Sequence, residues 1–219
     1  MKNKRVILLL SGGIDSTTLL AKLTHEGYEV TALSFSYGQK HRVELEFASR
    51  NAKKYGVVKH VVMDLDARQF GKSALVNEEK NIATYENGPL PEGEVNVYVP
   101  FRNLVFTSHA FSLAETLSIK EIFVAFNKDD SINFWDCRPA FIHALNAVSR
   151  QGSSIEVKAP FIELSKTEVV LLAQKLGVVL DQTISCYQPV AYQECGICLS
   201  CRIRQLAING ANNGHTRHN

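Results

Sequence analysis

Two groups of residues carry most of the chemistry available to this chain. The first is Ser11-Gly12-Gly13-Ile14-Asp15-Ser16-Thr17, set between an apolar run and a helix-like run. Glycines let a ligand approach the backbone, and the free N–H groups of a helix start favour an anion. The hydroxyls of Ser11, Ser16 and Thr17 add donors. Asp15 beside a phosphate is repulsive unless Mg²⁺ lies between them, so a metal-bound nucleotide is expected. The string is not a Walker A loop, because no Gly-Lys-Ser/Thr follows, and it lacks the third glycine of a dinucleotide fingerprint.

The second group is Cys186, Cys195, Cys198 and Cys201. Two overlapping C-x-x-C steps and one longer return suit four thiolates around a tetrahedral ion, and Gly196 provides the tight turn. Zn²⁺ is the expected metal, with an iron–sulfur cluster as the alternative. Four protein ligands fill the coordination shell, which implies a structural site.

Further candidates lie between these groups. Arg102 and Asn103 open a helix, where a guanidinium fork suits a phosphate or a purine-like face. Lys166 sits in the first turn of a later helix, where a cation opposes the dipole unless an anion is near. Gln39 and His41 follow the second strand, at the edge where open α/β sheets bind ligands. Asp136 can accept from N–H groups, Arg138 can pair with a carboxylate, and Phe134 and Trp135 can stack on a purine-like ring. Cys137 reads as a buried apolar residue, and Asp129-Asp130 as a solvated loop.

The elements that must position these residues alternate. Residues 5–10, 29–37, 58–65, 121–126 and 155–160 read as strands. Residues 16–26, 42–56, 103–118, 138–150 and 164–177 read as helices, the last with Ser165 and Glu168 at capping-box spacing. Strands separated by helices imply βαβ crossovers: an α/β fold with a doubly wound, mostly parallel sheet. Residues 66–97 break the rhythm with a polar, acidic stretch, which reads as a lid or a disordered loop. Residues 1–180 are assigned to a nucleotide-binding domain and 181–219 to a small cysteine-rich, zinc-binding segment that ends in a frayed tail.

Composition narrows the function classes. The chain has 219 residues, with 24 Lys+Arg against 22 Asp+Glu and a net charge of +2. No dense basic block is present, which argues against a nucleic-acid partner. The apolar run after the basic start ends at Leu10, short of the ~7–15 residues of a signal-peptide core. No segment approaches a membrane span, and five cysteines without a secretory leader fit metal or catalysis better than disulfides. A cytoplasmic protein with no membrane partner is expected.

The first string resembles the S-G-G-x-D-S signature of the PP-loop ATP pyrophosphatases. That resemblance implies that ATP is cut between its α and β phosphates. Five more strings, "SYGQKH" (36–41), "VPFRNLVF" (99–106), "DCRPAFI" (136–142), "LSKTE" (164–168) and "SCYQ…CGICLSC", resemble the 7-cyano-7-deazaguanine synthase family in order and spacing. The resemblance runs from residue 6 to about residue 205. It implies an ATP-dependent ligase that adenylates 7-carboxy-7-deazaguanine and adds ammonia to give an amide. A second ATP then converts the amide to the nitrile, a queuosine precursor. By position, Ser11, Gly12, Gly13, Asp15, Ser16, Thr17, Gln39 and His41 would hold ATP and Mg²⁺. Asp15, Arg102 and Lys166 would serve catalysis, and Arg102, Asn103, Phe134, Trp135, Asp136 and Arg138 would bind substrate. A homodimer is also implied.

The chain departs from the family pattern on one side. Phe101 stands where V-P-G-R-N has glycine, Ala125-Phe126 replace Gly-Val, and Asn133-Phe134-Trp135 replace Gly-Tyr-Pro. These changes are expected to reshape the deazaguanine pocket. Two alternatives follow: a relative that passes the activated carboxylate to another amine, including one on a protein, and a PP-loop tRNA-modifying enzyme.

Overall fold

The computed structural model describes residues 4–68, 71–86 and 88–215; the first three residues and the last four of the tail lie outside them. Five parallel strands form one sheet in the order β3-β2-β1-β4-β5: β1 (Arg5–Leu9), β2 (Glu29–Ser36), β3 (Lys59–Asp64), β4 (Glu121–Phe123) and β5 (Glu156–Lys158). The chain runs outward from β1 to β3, then crosses to the other side of β1. The strand order therefore reverses between β1 and β4, where open α/β sheets bind ligands. The observed strands and the expected ones agree, although β4 and β5 are shorter. Their pairing nevertheless continues in the Val124 N–H bond to the Lys158 carbonyl, at 2.9 Å.

Alternation along the strands sorts side chains into two apolar layers. Val6, Leu8 and Leu10 pack on one face against α1 (Ile14–His25), α2 (Glu44–Lys54) and α6 (Lys166–Lys175). Ile7 packs on the other face with residues of α3 (Arg102–Thr116) and α5 (Pro139–Ser149). Val6, Ile7 and Leu8 of β1 are wholly buried, worth roughly 1.5–3 kcal/mol each in transfer free energy. The capping box at Ser165 is present: its side chain accepts from the Glu168 backbone, and Glu168 returns a bond to Ser165 N–H at 2.7 Å.

Two features go beyond the sequence reading. A one-turn helix, α4 (Asp130–Asn133), forms where a solvated loop was expected. The cysteine segment continues into α7 (Leu199–His215), whose Ala207 and Ala211 bury against the same layer as Val169 and Val170 of α6. Apolar residues at helical spacing from Leu199 to Ala211 signal this helix, but the cysteines dominate the reading of that stretch.

The described residues of the acidic stretch 66–97 form a packed wall. Ala74, Leu75, Val76, Ile82, Val95 and Val97 are buried, and Ala74 N–H bonds the Asn96 carbonyl at 2.8 Å. Thr84 pairs with Cys198 in an antiparallel bridge, and Tyr85 N–H donates to Ile197 O at 2.7 Å. The wall is thereby fastened to the cysteine turn.

Candidate active site

The loop after β1 opens into a cavity of about 260 Å³ at the strand-order reversal. Ser11, Gly13, Asp15 and Ser16 line it. Ser16 Oγ accepts from Ser11 N–H at 3.2 Å and donates to the Gly13 carbonyl at 3.3 Å, which folds the loop back on itself. Gly12 lies behind the lining. Its φ is +81°, and a Cβ there would meet Ala48 N and Glu44 O at 2.6 Å, so only glycine fits. Helix α1 begins at Gly13 without a side-chain cap, leaving first-turn N–H donors for an anion. Thr17 is fully buried outside the lining, and its Oγ1 has no partner among the described residues.

Opposite the loop stands Lys166, whose ammonium pairs with the Asp15 carboxylate across the cavity. Burial alone would lower the Lys166 pKa, but the charges of Asp15 and Asp130 and the bond to Asp15 outweigh it, and the group is raised. The cation at this helix start therefore answers a carboxylate in addition to any phosphate.

A compact clamp holds this pair. Asn127 is wholly buried; its Nδ2 donates to Asp130 Oδ2 at 2.8 Å and to Asp15 Oδ1 at 3.4 Å. Its Oδ1 accepts from the N–H groups of Asp129 and Asp130 at 3.0 and 3.1 Å. Asp129 in turn accepts from Lys166 N–H at 2.8 Å. The Asp129-Asp130 pair is thus built into the site, a correction to the solvated-loop expectation. Burial pushes the Asp130 carboxyl up to about 6; Lys166 opposes the shift and Asp15 adds to it. The only sequence signal for this clamp is two adjacent acids two residues after an asparagine.

The far wall comes from α3 and the turn before α5. Arg102, Asn103, Phe106, Phe134 and Cys137 line it. Arg102 Nη1 donates to Tyr37 Oη at 3.2 Å, and burial pushes the Tyr37 hydroxyl up to about 12. Asn103 Nδ2 reaches Cys137 Sγ at 3.5 Å. Tyr37 and Tyr187 also face the cavity, although neither stood out in the sequence.

Other expected site residues lie elsewhere. Asp136 is buried behind the lining, where Oδ2 accepts from Asn103 N–H at 3.3 Å and Oδ1 has no partner among the described residues. Gln39 lies outside the lining, its amide bonded to Tyr37 N–H, Phe35 O and Glu44. His41 does line the cavity; its Nε2 lies 3.3 Å from Glu44 and its buried Nδ1 is unpartnered among the described residues. Trp135 is partly exposed outside the lining, edge-on to Phe101 and Phe141, with Nε1 donating to Tyr98 Oη at 2.7 Å. Arg138 is exposed and donates to Ser131 O at 3.1 Å.

The four C-terminal cysteines converge, with all Sγ atoms within 4.8 Å of one another. A tetrahedron of ~2.3 Å metal–sulfur bonds has edges of ~3.8 Å, so the group can hold a metal ion. N–H groups of Cys195, Gln188 and Cys198 point at sulfurs at 3.2–3.4 Å, as thiolates require. Hydrogen bonds from Cys186 and Cys201 hold the Cys198 thiol well below the usual thiol range.

The cluster also braces the loop. Ile184 N–H donates to Gly12 O at 3.1 Å, and Arg204 of α7 holds the same strap through Thr183 Oγ1 and Leu180 O at 2.9 and 2.7 Å.

The family model for queuosine biosynthesis protein QueC matches residues 5–212. The chain belongs to the QueC family. Among curated relatives, the 7-cyano-7-deazaguanine synthase of Saccharophagus degradans is 43% identical, covering 96% of each chain. That of Rickettsia bellii is 38% identical over 95% of each. In fold, this QueC-family chain is similar to the solved structure of NMN synthetase from Francisella tularensis, with a TM-score of 0.50 and 13% identity over 98% of this chain and 84% of that one. No helix among the described residues is long and apolar enough to cross a membrane.

Proposed function

We propose that this QueC-family chain is an ATP-dependent carbon–nitrogen ligase that takes 7-carboxy-7-deazaguanine to 7-cyano-7-deazaguanine in two adenylations, each releasing pyrophosphate and AMP. The observation that carries this reading is the Asp15–Lys166 pair at an uncapped helix start, facing Arg102 across one cavity. A carboxylate resists nucleophiles because hydroxide and oxide leave poorly. Transfer of its oxygen onto the α-phosphorus makes the leaving group AMP, and ammonia can then form the amide. The amide oxygen is activated in the same way, and its departure as AMP leaves the nitrile.

Ser11, Gly13 and Ser16 would hold the triphosphate, with backbone N–H groups supplying most donors, and Gly12 and Thr17 would shape the loop from behind the lining. Asp15 would hold Mg²⁺, which neutralises charge on the phosphates. Its binding would release Lys166 to the phosphate on which charge accumulates. Arg102 would orient the substrate carboxylate as a fork, and His41 would contact the nucleotide from its side of the cavity. Asn103 and Phe134 would supply polar and aromatic contact for the deazaguanine, and Asp136 would act from behind the lining by holding the start of α3. Gln39, Trp135 and Arg138 would act by shaping the walls. Zn²⁺ is the metal we assign to Cys186, Cys195, Cys198 and Cys201, as a fold-holding ion.

The test is a mass-spectrometric product assay with purified protein, Mg-ATP, 7-carboxy-7-deazaguanine and ammonium. Nitrile with AMP and pyrophosphate is the expected result, and Asp15→Ala should abolish AMP formation. Amide that never proceeds to nitrile, or normal AMP production by the Asp15 variant, would overturn the reading.

A further inference from the structure

The geometry points to Asp130 as the general base that removes the last nitrogen proton in the amide-to-nitrile half of the reaction; this rests on the function proposed above. Asp130 lines the cavity between the Asp15–Lys166 pair and the wall formed by Phe134 and Cys137. Asn127 ties it to Asp15 on the loop side, and Phe134 N–H bonds its carbonyl at 3.0 Å on the wall side, so it faces the region where a loop-bound phosphate and a wall-bound substrate would meet. Both bonds from Asn127, from N–H at 3.2 Å and Nδ2 at 2.8 Å, converge on Oδ2. Among the described residues no hydrogen bond is made to Oδ1, and the side chain remains partly accessible. One oxygen is thus clamped while the other is left to accept.

Asp15 is unsuited to this task, because its carboxylate is paired with Lys166 and sits on the phosphate loop. Asp136 is buried behind the lining and caps the start of α3. Asp130 alone among these three is both on the cavity wall and free at one oxygen among the described residues.

The two halves of the reaction differ in their need for a base. In the first, ammonia attacks the acyl-adenylate, a C–N bond forms, and the C–O bond to AMP breaks. The proton to be lost then sits on a cationic nitrogen, acidic enough to pass to water or to a second ammonia. In the second half the amide oxygen attacks the α-phosphorus, the O–P bond forms, and pyrophosphate leaves. The nitrogen sheds one proton as the C=N bond forms. It sheds the other as the C–O bond to AMP breaks and the C≡N bond closes. The first proton leaves a cationic nitrogen and passes to water or ammonia as in the first half. The remaining N–H, on a neutral imidate, is weakly acidic, so a fixed base is required there, and Asp130 takes that proton as the amide oxygen departs in AMP.

The experiment supplies the purified full chain with Mg-ATP and either the acid plus ammonium or the preformed amide, and follows amide, nitrile and AMP by mass spectrometry. Asp130→Asn keeps the shape and the Asn127 clamp but cannot take a proton. Nitrile formation from the amide should fall about 100-fold or more, the range of a lost general base, while amide formation from the acid falls less than about tenfold. Amide should accumulate, and Asp130→Glu should recover part of the nitrile rate. Metal content and melting temperature are measured on both variants to confirm folding. Equal slowing of both halves would reduce Asp130 to a brace for Lys166, and an unchanged nitrile rate would also overturn the assignment. Wild-type protein that forms neither amide nor nitrile would instead overturn the function on which this inference rests.

Discussion

The loop after β1 and the wall formed by α3 and the turn before α5 face each other across one cavity, yet they leave very different room for change. In the loop, Gly12 is enclosed by the backbone of α2, with two atoms 2.6 Å from where a Cβ would lie. Backbone atoms cannot step aside as a flexible side chain can, so the position has no slack. On the wall side, residues that depart from the family pattern support one another. Phe101 takes a left-handed φ of +52°, where the family has glycine, and its ring meets Trp135 edge-on at 5.2 Å. Tyr98 Oη ties the two together, accepting from Trp135 Nε1 and from Phe101 N–H at 3.2 Å. Asn133 Nδ2 anchors Pro91 O and Gly93 O, each at 3.0 Å.

Phe101, Asn133 and Trp135 all lie outside the cavity lining, whereas Ala125, Phe126 and Phe134 lie on it. Half of the departures therefore rebuild the outer support of the wall and leave its inner surface to the other three. A sequence change near a substrate site need not be a change of substrate.

The largest effect that would break this comparison is expected at Gly12. Gly12→Ala should displace α2 or the loop and reduce AMP formation more than about 100-fold, at a cost of ~3 kcal/mol or more. A soluble variant with wild-type AMP turnover would show that the loop has slack after all. Cys198→Ser tests whether loop rigidity depends on the cysteine cluster. Bound metal and folded yield should fall together, and AMP formation by the folded fraction should drop about tenfold or more, read by elemental analysis beside the product assay.

A smaller effect concerns pH. The Asp130 pKa is raised from 3.8 to about 6 on folding, so the folded chain holds that proton more tightly than the unfolded one. Its contribution to stability is present below the unfolded pKa and is lost as pH rises through the folded one. Without nucleotide and Mg²⁺, denaturant midpoints of the wild type should fall between about pH 4 and pH 6 in a way that Asp130→Asn lacks. Parallel pH profiles for the two proteins would contradict this. The smallest effect is expected at Phe101→Gly. Relief of the left-handed backbone, ~1–2 kcal/mol, opposes loss of a ring contact of ~0.5–1.5 kcal/mol. Stability should change by less than about 1 kcal/mol, with KM for the acid unaltered; a large KM change would place Phe101 in the substrate site.

Short-range signals were enough for much of this protein. Apolar runs separated by helical periods specify a parallel α/β sheet, because each strand must bury both faces. Ser165 and Glu168 mark a helix start by bonds that span three residues. The thiol spacing of Cys186 to Cys201 marks a group that can hold a metal, because all four thiols lie within one short segment. What only the tertiary structure decided are contacts between distant segments. The Asp15–Lys166 pair and the Asn127 clamp join the first loop, the end of β4 and the start of α6, and nothing in the spacing of those residues encodes their meeting. Gln39 and Trp135 carry the residue types a ligand site would use, but their polar groups are taken up by neighbouring wall residues. Asp130 has the composition of a solvated loop, and burial beside Asp15 and Lys166 changes its chemistry. Sequence supplies each group's intrinsic donors, acceptors and charge; folding decides which of them remain available once their neighbours have bonded.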